Sequence, residues 1–231
     1  LLVKRIRGIR RAAFSPVLPT KDGHAILIDA GANAECTPEF LLQFGCMGSF
    51  YAQKALGIES PRVGLLNNGA EDTKGDPLHR EAHQLLKRAA EQGTIQFVGN
   101  VEARDALAGK ADVVAADGFV GNVLLKNTEG VISMIFGLIK GGLMDSAKGK
   151  LAALLAKDTF RGIKRSFDST EIGGAPLLGI SKMVTKAHGN SDARAIQNAI
   201  RQAKLCVAND LCGTMEKALA EVAAQKEEAD A

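Results

Sequence analysis

Tryptophan is absent from this 231-residue chain, tyrosine occurs once, and aromatic residues make up only 4%. Surfaces that stack sugars or bases are built on such rings, so the composition argues against a lectin-like or base-stacking role. The four cysteines (Cys36, Cys46, Cys206, Cys212) form no CxxC pair. They sit in or beside helical patterns and read as buried thiols of a reducing compartment. No apolar run reaches the ~18–20 residues needed to span a bilayer. Leu1–Phe14 carries no apolar leader core. An initiator Met is also lacking, and the chain is expected to be a fragment or a processed product. There is no GxGxxG and no P-loop, which leaves a bound nucleotide with little support. A net charge of +3 is too small to imply nucleic acid.

What the chain does have is a repeated pattern. Five short apolar runs end in clusters rich in Gly, Asn, Asp, Lys or His and then open into helical spacing. They are Ala25–Asp29, Val63–Leu66, Ile95–Val98, Val113–Ala116 and Met183–Thr185. Continuous apolar runs read as parallel strands covered on both faces. Strand alternating with helix predicts right-handed βαβ units and an α/β domain over residues 1–231. Ligands of open α/β sheets sit outside the carboxyl ends of the strands, so the polar clusters are expected to line one edge of one sheet.

Helix signals accompany the strands. Thr37 with Pro38 and Asp76 with Pro77 read as N-caps followed by Pro at the first position. Gly57 and Gly93 read as ends. A short helix is expected near Ala103–Ala108. A long final helix is expected from a Ser191 cap, with Ile196, Ala199, Ile200, Ala203, Val207, Leu211, Met215, Leu219 and Val222 as its apolar stripe. Residues 1–23 read as a basic lead-in, and Ile172–Gly179 as a Gly/Pro loop.

Three clusters could carry chemistry. In Asp117–Asn122 (DGFVGN), Gly118 and Gly121 allow a close backbone approach, and the following helix start favours an anion. Asp117 could act as a base or orient a cation; the alternative is an ordinary βα turn with a capping Asp. Asn67, Asn68 and Gly69, with Lys74, could hold an oxyanion and a phosphate, or form a tight turn. Lys186, His188 and Ser191 place a cation, an imidazole and a capped helix start together, and His is the natural proton carrier near neutral pH. Asn33, Asn100 and Glu102 are weaker candidates at the other strand ends. His79 and His83 have zinc-compatible i, i+4 spacing, but Arg80 replaces the Glu of the zincin pattern, so they read as a solvated helix face.

Residues 131–167 join two apolar stretches (VISMIFGLI, LAALLA) to seven basic residues against two acidic ones. That is the composition of a helix pair lying in a membrane interface, or of a core helix with a solvated basic face.

The motifs LIDAGAN, LLQF-x-x-MGS-x-YA, RVGLLNNG-x-E-x-x-KG, F-x-GNVEARD, DVV-x-x-DGF-x-GNV-x-LK-x-x-EG, GGAPLLG and KAHG-x-SDA occur in order from Arg5 to about Lys204. Together they resemble the bacterial phosphate:acyl-[acyl-carrier-protein] acyltransferase (PlsX) family. The resemblance implies a three-layer α/β/α arrangement around a mainly parallel sheet, like that of the isocitrate/isopropylmalate dehydrogenases, with a protruding helical hairpin. It implies transfer of a long-chain acyl group from acyl carrier protein to inorganic phosphate for phospholipid synthesis, with no metal and no cofactor. It also implies a cytoplasmic homodimer held at the membrane surface by the 131–167 tip. The family's N-terminal portion, including an Asp-Ala-Met-Gly-Gly-Asp motif, has no counterpart here. Gly8-Ile9-Arg10-Arg11-Ala12-Ala13 stands where the family usually reads Gly-Ile-Asp-Arg-Pro-Ala. On this reading Gly118–Asn122 and Lys186 bind phosphate, and Asn67 and Asn68 are oxyanion donors with Lys74 nearby. His188, or alternatively Asp117, carries the proton. Asn33, Gly69, Asn100, Glu102 and Ser191 complete the binding set. A short-chain acyltransferase using coenzyme A, and a non-catalytic membrane-associated remnant of the fold, are the rival readings.

Overall fold

A computed structural model gives the fold and describes residues 3–21, 23–167, 174–187, 189 and 191–218. The main sheet has five strands in the order β2-β3-β6-β4-β5. These are β2 (Val17–Thr20), β3 (Gly23–Ile28), β4 (Arg62–Leu66), β5 (Gln96–Val101) and β6 (Val113–Ala115). β3, β6, β4 and β5 run parallel, and β2 is an antiparallel edge. All three residues of β6 are buried, as expected of a central strand covered on both faces.

The covering helices form two layers. α1 (Pro38–Leu56) and α2 (Pro77–Glu91) pack one core with Ile26, Ile28, Val63 and Val113. α3 (Ala103–Leu107) and α4 (Gly118–Met144) close the other core through Ala106 and Leu124, against Leu27, Val114 and Leu66. The caps fall where the residue types place them. Thr37 Oγ1 accepts from the Phe40 amide, Asp76 Oδ1 accepts from the His79 amide, and Gly57 adopts φ +71°. The chain moves outward from β3 to β4 to β5 through α1 and α2 on one face and returns to β6 through α3 on the other.

The fifth apolar run does not join this sheet. β8 (Thr185–Lys186) is a two-residue strand, antiparallel to β7 (Ala175–Leu178), which in turn pairs antiparallel with β1 (Ala13–Phe14). The lead-in and the Gly/Pro loop therefore contribute strands, because each finds a neighbour far away in sequence. Phe14–Pro16 ties the two sheets: the Ser15 amide donates to Pro176 O, while Phe14 O and Pro16 O accept from Ala30 and Leu27. α7 (Ala193–Ala208) docks on α1, where Gln202 Nε2 donates to Tyr51 Oη at 2.7 Å.

α7 is capped by Asp192, not Ser191. Its buried face is Ala195, Ala199, Gln202 and Cys206, which leaves Ile196, Ile200 and Val207 exposed. The helix stops at Asn209–Asp210, and a further helical segment, 211–218, buries Leu211 and Met215. Leu219 and Val222 lie outside the described residues. The basic tip holds three helical pieces: the far half of α4, α5 (Ala147–Leu155) and α6 (Lys157–Ser166).

Two glycines of α4 give opposite predictions. A Cβ on Gly121 would run into the backbone carbonyl of Asp29, whereas one on Gly130 would meet nothing within 4 Å. Gly121→Ala should destabilise by about 1–3 kcal/mol through overpacking. Gly130→Ala should stabilise by roughly 0.5–1 kcal/mol through helix propensity. Urea midpoints of the two variants measure both signs.

Candidate functional site

The site begins with a buried carboxylate. Asp29, at the end of β3, is fully buried, yet both of its oxygens have donors. They accept from Phe14 N (2.8 Å), Ala32 N (3.1 Å), Asn33 N (2.7 Å) and Asn33 Nδ2 (2.9 Å). Asn33 Nδ2 also donates to Ala12 O at 2.8 Å, and Asn33 O accepts from Gly118 N at 2.8 Å. Asn33 thus spends its side chain and its carbonyl on holding the loop and the start of α4.

At that start, Asp117 Oδ1 accepts from both Phe119 N and Val120 N, and Gly121 N donates to Asp117 O. The first-turn amides of α4 therefore have partners within the chain, because the residue that caps the helix also consumes its donors. Gly118 and Gly121 serve a close approach of a different kind. A Cβ on Gly118 would stand 2.5 Å from Asn33 O and 2.7 Å from Asp29 Oδ2, so the pair lets α4 lie against the Asp29–Asn33 loop. What the turn presents outward is the exposed Asn122 side chain.

Asn122 opens onto a cavity of about 500 Å³ between the two sheets. From the first come Gly31, Ala32, Asn122 and Lys126, and from the second Lys186, Ala187, Gly189 and Ser191. Lys186 Nζ lies 4.8 Å from the Phe14 ring centroid, which holds the cation at the wall. Lys126 Nζ pairs with Glu129 at 2.8 Å. Of the predicted residues, Asn122, Lys186 and Ser191 meet here. His188 lies outside the described residues.

The four parallel strands do put their polar clusters at one edge of the main sheet. α4 then divides that edge. Asn122, Leu125, Lys126 and Glu129 follow helical spacing along one flank and line the cavity just described. Val120, Val123, Leu124 and Asn127 line a second cavity of about 450 Å³ on the other flank, with Asn67, Asn68 and His79. The proposed oxyanion donors Asn67 and Asn68 are thus separated from Asn122 and Lys186 by the width of a helix. Asn67 Nδ2 reaches Lys74 O at 3.2 Å, and Gly69 sits where a Cβ would press on the Lys74 and Glu71 side chains. Asn100 is buried and braces the same loop, with Nδ2 donating to Glu71 O at 2.7 Å. Glu102 pairs with Arg104 at 2.6 Å.

The histidines of α2 turn inward, contrary to the solvated face read from the sequence. His83 is 2% exposed, pairs through Nδ1 with Asn100 Oδ1 at 2.9 Å and stands edge-on to Phe97. His79 Nδ1 meets Asp76 Oδ1 at 2.7 Å, and its Nε2 lies 4.0 Å from Asp117 Oδ2. The signal was present: His79, Ala82, His83 and Leu86 fall at i, i+3, i+4, i+7, and the last three are buried.

Two solved structures share this fold. The EutD phosphotransacetylase from Staphylococcus aureus aligns with TM-score 0.54 at 16% identity, covering 87% of this chain and 56% of that one. A phosphotransacetylase from Streptococcus pyogenes aligns with TM-score 0.52 at 18% identity, covering 94% and 56%. The architecture is therefore that of phosphotransacetylase-type α/β proteins. Residues 1–214 match the family described as "Fatty acid synthesis protein", and the chain belongs to that family. It is 51% identical over 228 residues to a protein named phosphate acyltransferase from Oceanobacillus iheyensis, covering 98% of this chain and 68% of the relative. A namesake from Thermoanaerobacterium thermosaccharolyticum is 48% identical over 217 residues, with 94% and 64% covered. One from Alkaliphilus oremlandii is 51% identical over 203 residues, with 88% and 59% covered. The chain thus spans roughly two thirds of the length of these relatives.

Cys36, beside the site, donates its thiol to Asn33 O at 3.6 Å, and burial pushes its pKa up to about 11. Burial likewise raises Cys46 to about 12, Cys206 to about 11, and Cys212. Each contributes stability that is full below the ordinary thiol pKa and is lost as pH rises through the folded value. All four thiols should alkylate slowly with iodoacetamide at pH 7–8 in the native state and quickly once unfolded. Mass spectrometry of each cysteine peptide checks this. Rapid native labelling of Cys36 at neutral pH would mark it as a nucleophile.

Proposed function

We propose that the chain forms the phosphate and acyl-transfer site of an enzyme that moves a long-chain acyl group from acyl carrier protein to inorganic phosphate. The observation that carries this reading is the cavity between the two sheets. It brings the Asn122 amide and the Lys186 cation to one place, beside the Lys126–Glu129 pair and Ser191, the residue before the α7 cap Asp192. Those groups suit a dianion and a developing oxyanion. The name phosphate acyltransferase, carried by relatives about half identical to this chain, agrees with that chemistry.

The transfer is direct. With phosphate held beside the thioester carbonyl, its oxygen attacks the carbon, the C–S bond breaks, and the phosphate's proton ends on the departing sulfur. The protonated state of Cys36 favours this route over an acyl-cysteine intermediate. Asn122 and Lys186 hold the phosphate, and Asn67 and Asn68 line the cavity on the other flank of α4. His188 remains the proton carrier of choice, with Asp117 as the alternative. Palmitoyl-carrier protein and phosphate should yield acyl phosphate, trapped as a hydroxamate. Asn122→Leu should raise the phosphate needed for half-saturation about tenfold, the effect of losing one charge-assisted bond. Reaction with acetyl-coenzyme A alone would favour the short-chain reading; product with neither donor would favour the non-catalytic one.

The product belongs at a lipid surface, and the tip fits that location at the cytoplasmic membrane. Leu138 is 69% and Leu155 80% exposed, with Ile135, Met144 and Leu154 also exposed. Among the described residues no helix is long and apolar enough to cross a membrane, so attachment would be peripheral. Each buried large apolar side chain adds roughly 1.5–3 kcal/mol, and each basic group near an anionic leaflet about 1 kcal/mol. The exposed Phe119, Val120 and Val123 at the base of α4 offer an apolar face for a homodimer. The protein should float with anionic vesicles, less at high salt, and Leu138→Glu with Leu155→Glu should abolish flotation. A wild-type chain that sediments apart from such vesicles would rule the tip out as an anchor.

A further inference from the structure

The polar cavity does not end at Asn122. A second cavity of about 420 Å³ shares Val17, Leu125 and Glu129 with it and continues along the same flank of α4. The two form one groove between α4 and the edge strand β2. Its character changes along its length. At the near end are Asn122, Lys126 and Lys186. Past the Lys126–Glu129 ion pair, the walls become Leu18, Pro19, Ile132 and Phe136. Thr128 adds no free donor to the groove, because its hydroxyl donates to Leu124 O at 2.8 Å. At the far end Phe136 and Phe167 meet edge to face, with ring centroids 6.3 Å apart. A polar head, an apolar trough and an aromatic pair at its far end describe a site for a molecule with a charged or polar head and one long hydrocarbon tail.

We infer that this groove holds the acyl chain during transfer and that Phe136, with Phe167, sets its length limit. The inference rests on the acyl-transfer reading above and adds where the chain lies. The carbonyl sits at the Asn122 end, and the hydrocarbon runs parallel to α4. Fourteen residues separate Asn122 from Phe136, which at ~1.5 Å per residue is about 21 Å of helix. Carbon–carbon bonds of about 1.5 Å at tetrahedral angles advance roughly 1.3 Å per carbon, so the groove accommodates about sixteen carbons. Ser133 lies about four fifths of the way along and is exposed on α4, so it can be enlarged without disturbing a core.

The test varies chain length. With donors of eight and sixteen carbons, Ser133→Trp should lower the C16-to-C8 activity ratio at least tenfold. Phe136→Ala should shift the optimum to longer chains. An unchanged ratio in both variants would overturn the inference. So would an equal fall for both donors accompanied by a change of mass in light scattering, which would assign the groove to a second copy of this chain. Fluorescence of cis-parinaric acid gives a readout independent of turnover. If no donor of any length reacts, the transfer reading fails, but the groove should still bind the probe and lose it in Ser133→Trp. Probe binding that Ser133→Trp leaves unmoved would remove the acyl site itself.

Discussion

The Asp29 carboxylate organises the rest of the structure. It is buried with no cation paired to it among the described residues, and a buried charge is tolerated only when hydrogen bonds replace its water. Its donors come from β1, from the 31–33 loop and from Asn33 itself. That one group therefore joins the small sheet to the large one and fixes the loop whose carbonyl receives the first amide of α4. The spacing between the sheets, and hence the cavity between them, follows from satisfying one anion.

A consequence is that α4 starts without room to spare. Gly118 and Gly121 admit no Cβ, and Asp117 occupies the first-turn amides. The rigid start projects Asn122 on one flank and Val120 on the other, dividing a single sheet edge into two cavities. α4 then runs on unbroken to Met144, so one helix begins at the polar cavity and ends in the exposed apolar tip. On the proposed function, having the polar cavity and the apolar tip on one rigid element would suit a product that is anionic at one end and greasy at the other.

The second cavity has its own logic. The 67–76 loop is braced by Asn100 and His83, and His79 is held between Asp76 and Asp117. These bonds join β4, α2, β5 and α4 at the sheet edge. They account for polar residues of the motifs that do not line the Asn122 cavity: a motif can be required because it holds the neighbouring loop.

How much was legible in the sequence follows from the range of each interaction. Apolar runs, capping residues and Pro at helix starts act over a few residues, so the four parallel strands and the start of each of the first helices could be read directly. The capping Asp and the glycines of DGFVGN were likewise visible, as was the basic, apolar tip. Other features depend on partners remote in the chain. β1 and β8 exist because β7 lies between them, and α7 turned its small residues inward because α1 offered Tyr51 to Gln202. The separation of Asn67 from Asn122 required knowing where α4 lies across the sheet edge, whereas the inward face of His83 was already present in its helical spacing with Ala82 and Leu86. Local sequence determined the elements and their chemistry; which of those groups share a cavity was decided by packing, since burial of apolar surface has no direction until a partner surface supplies one.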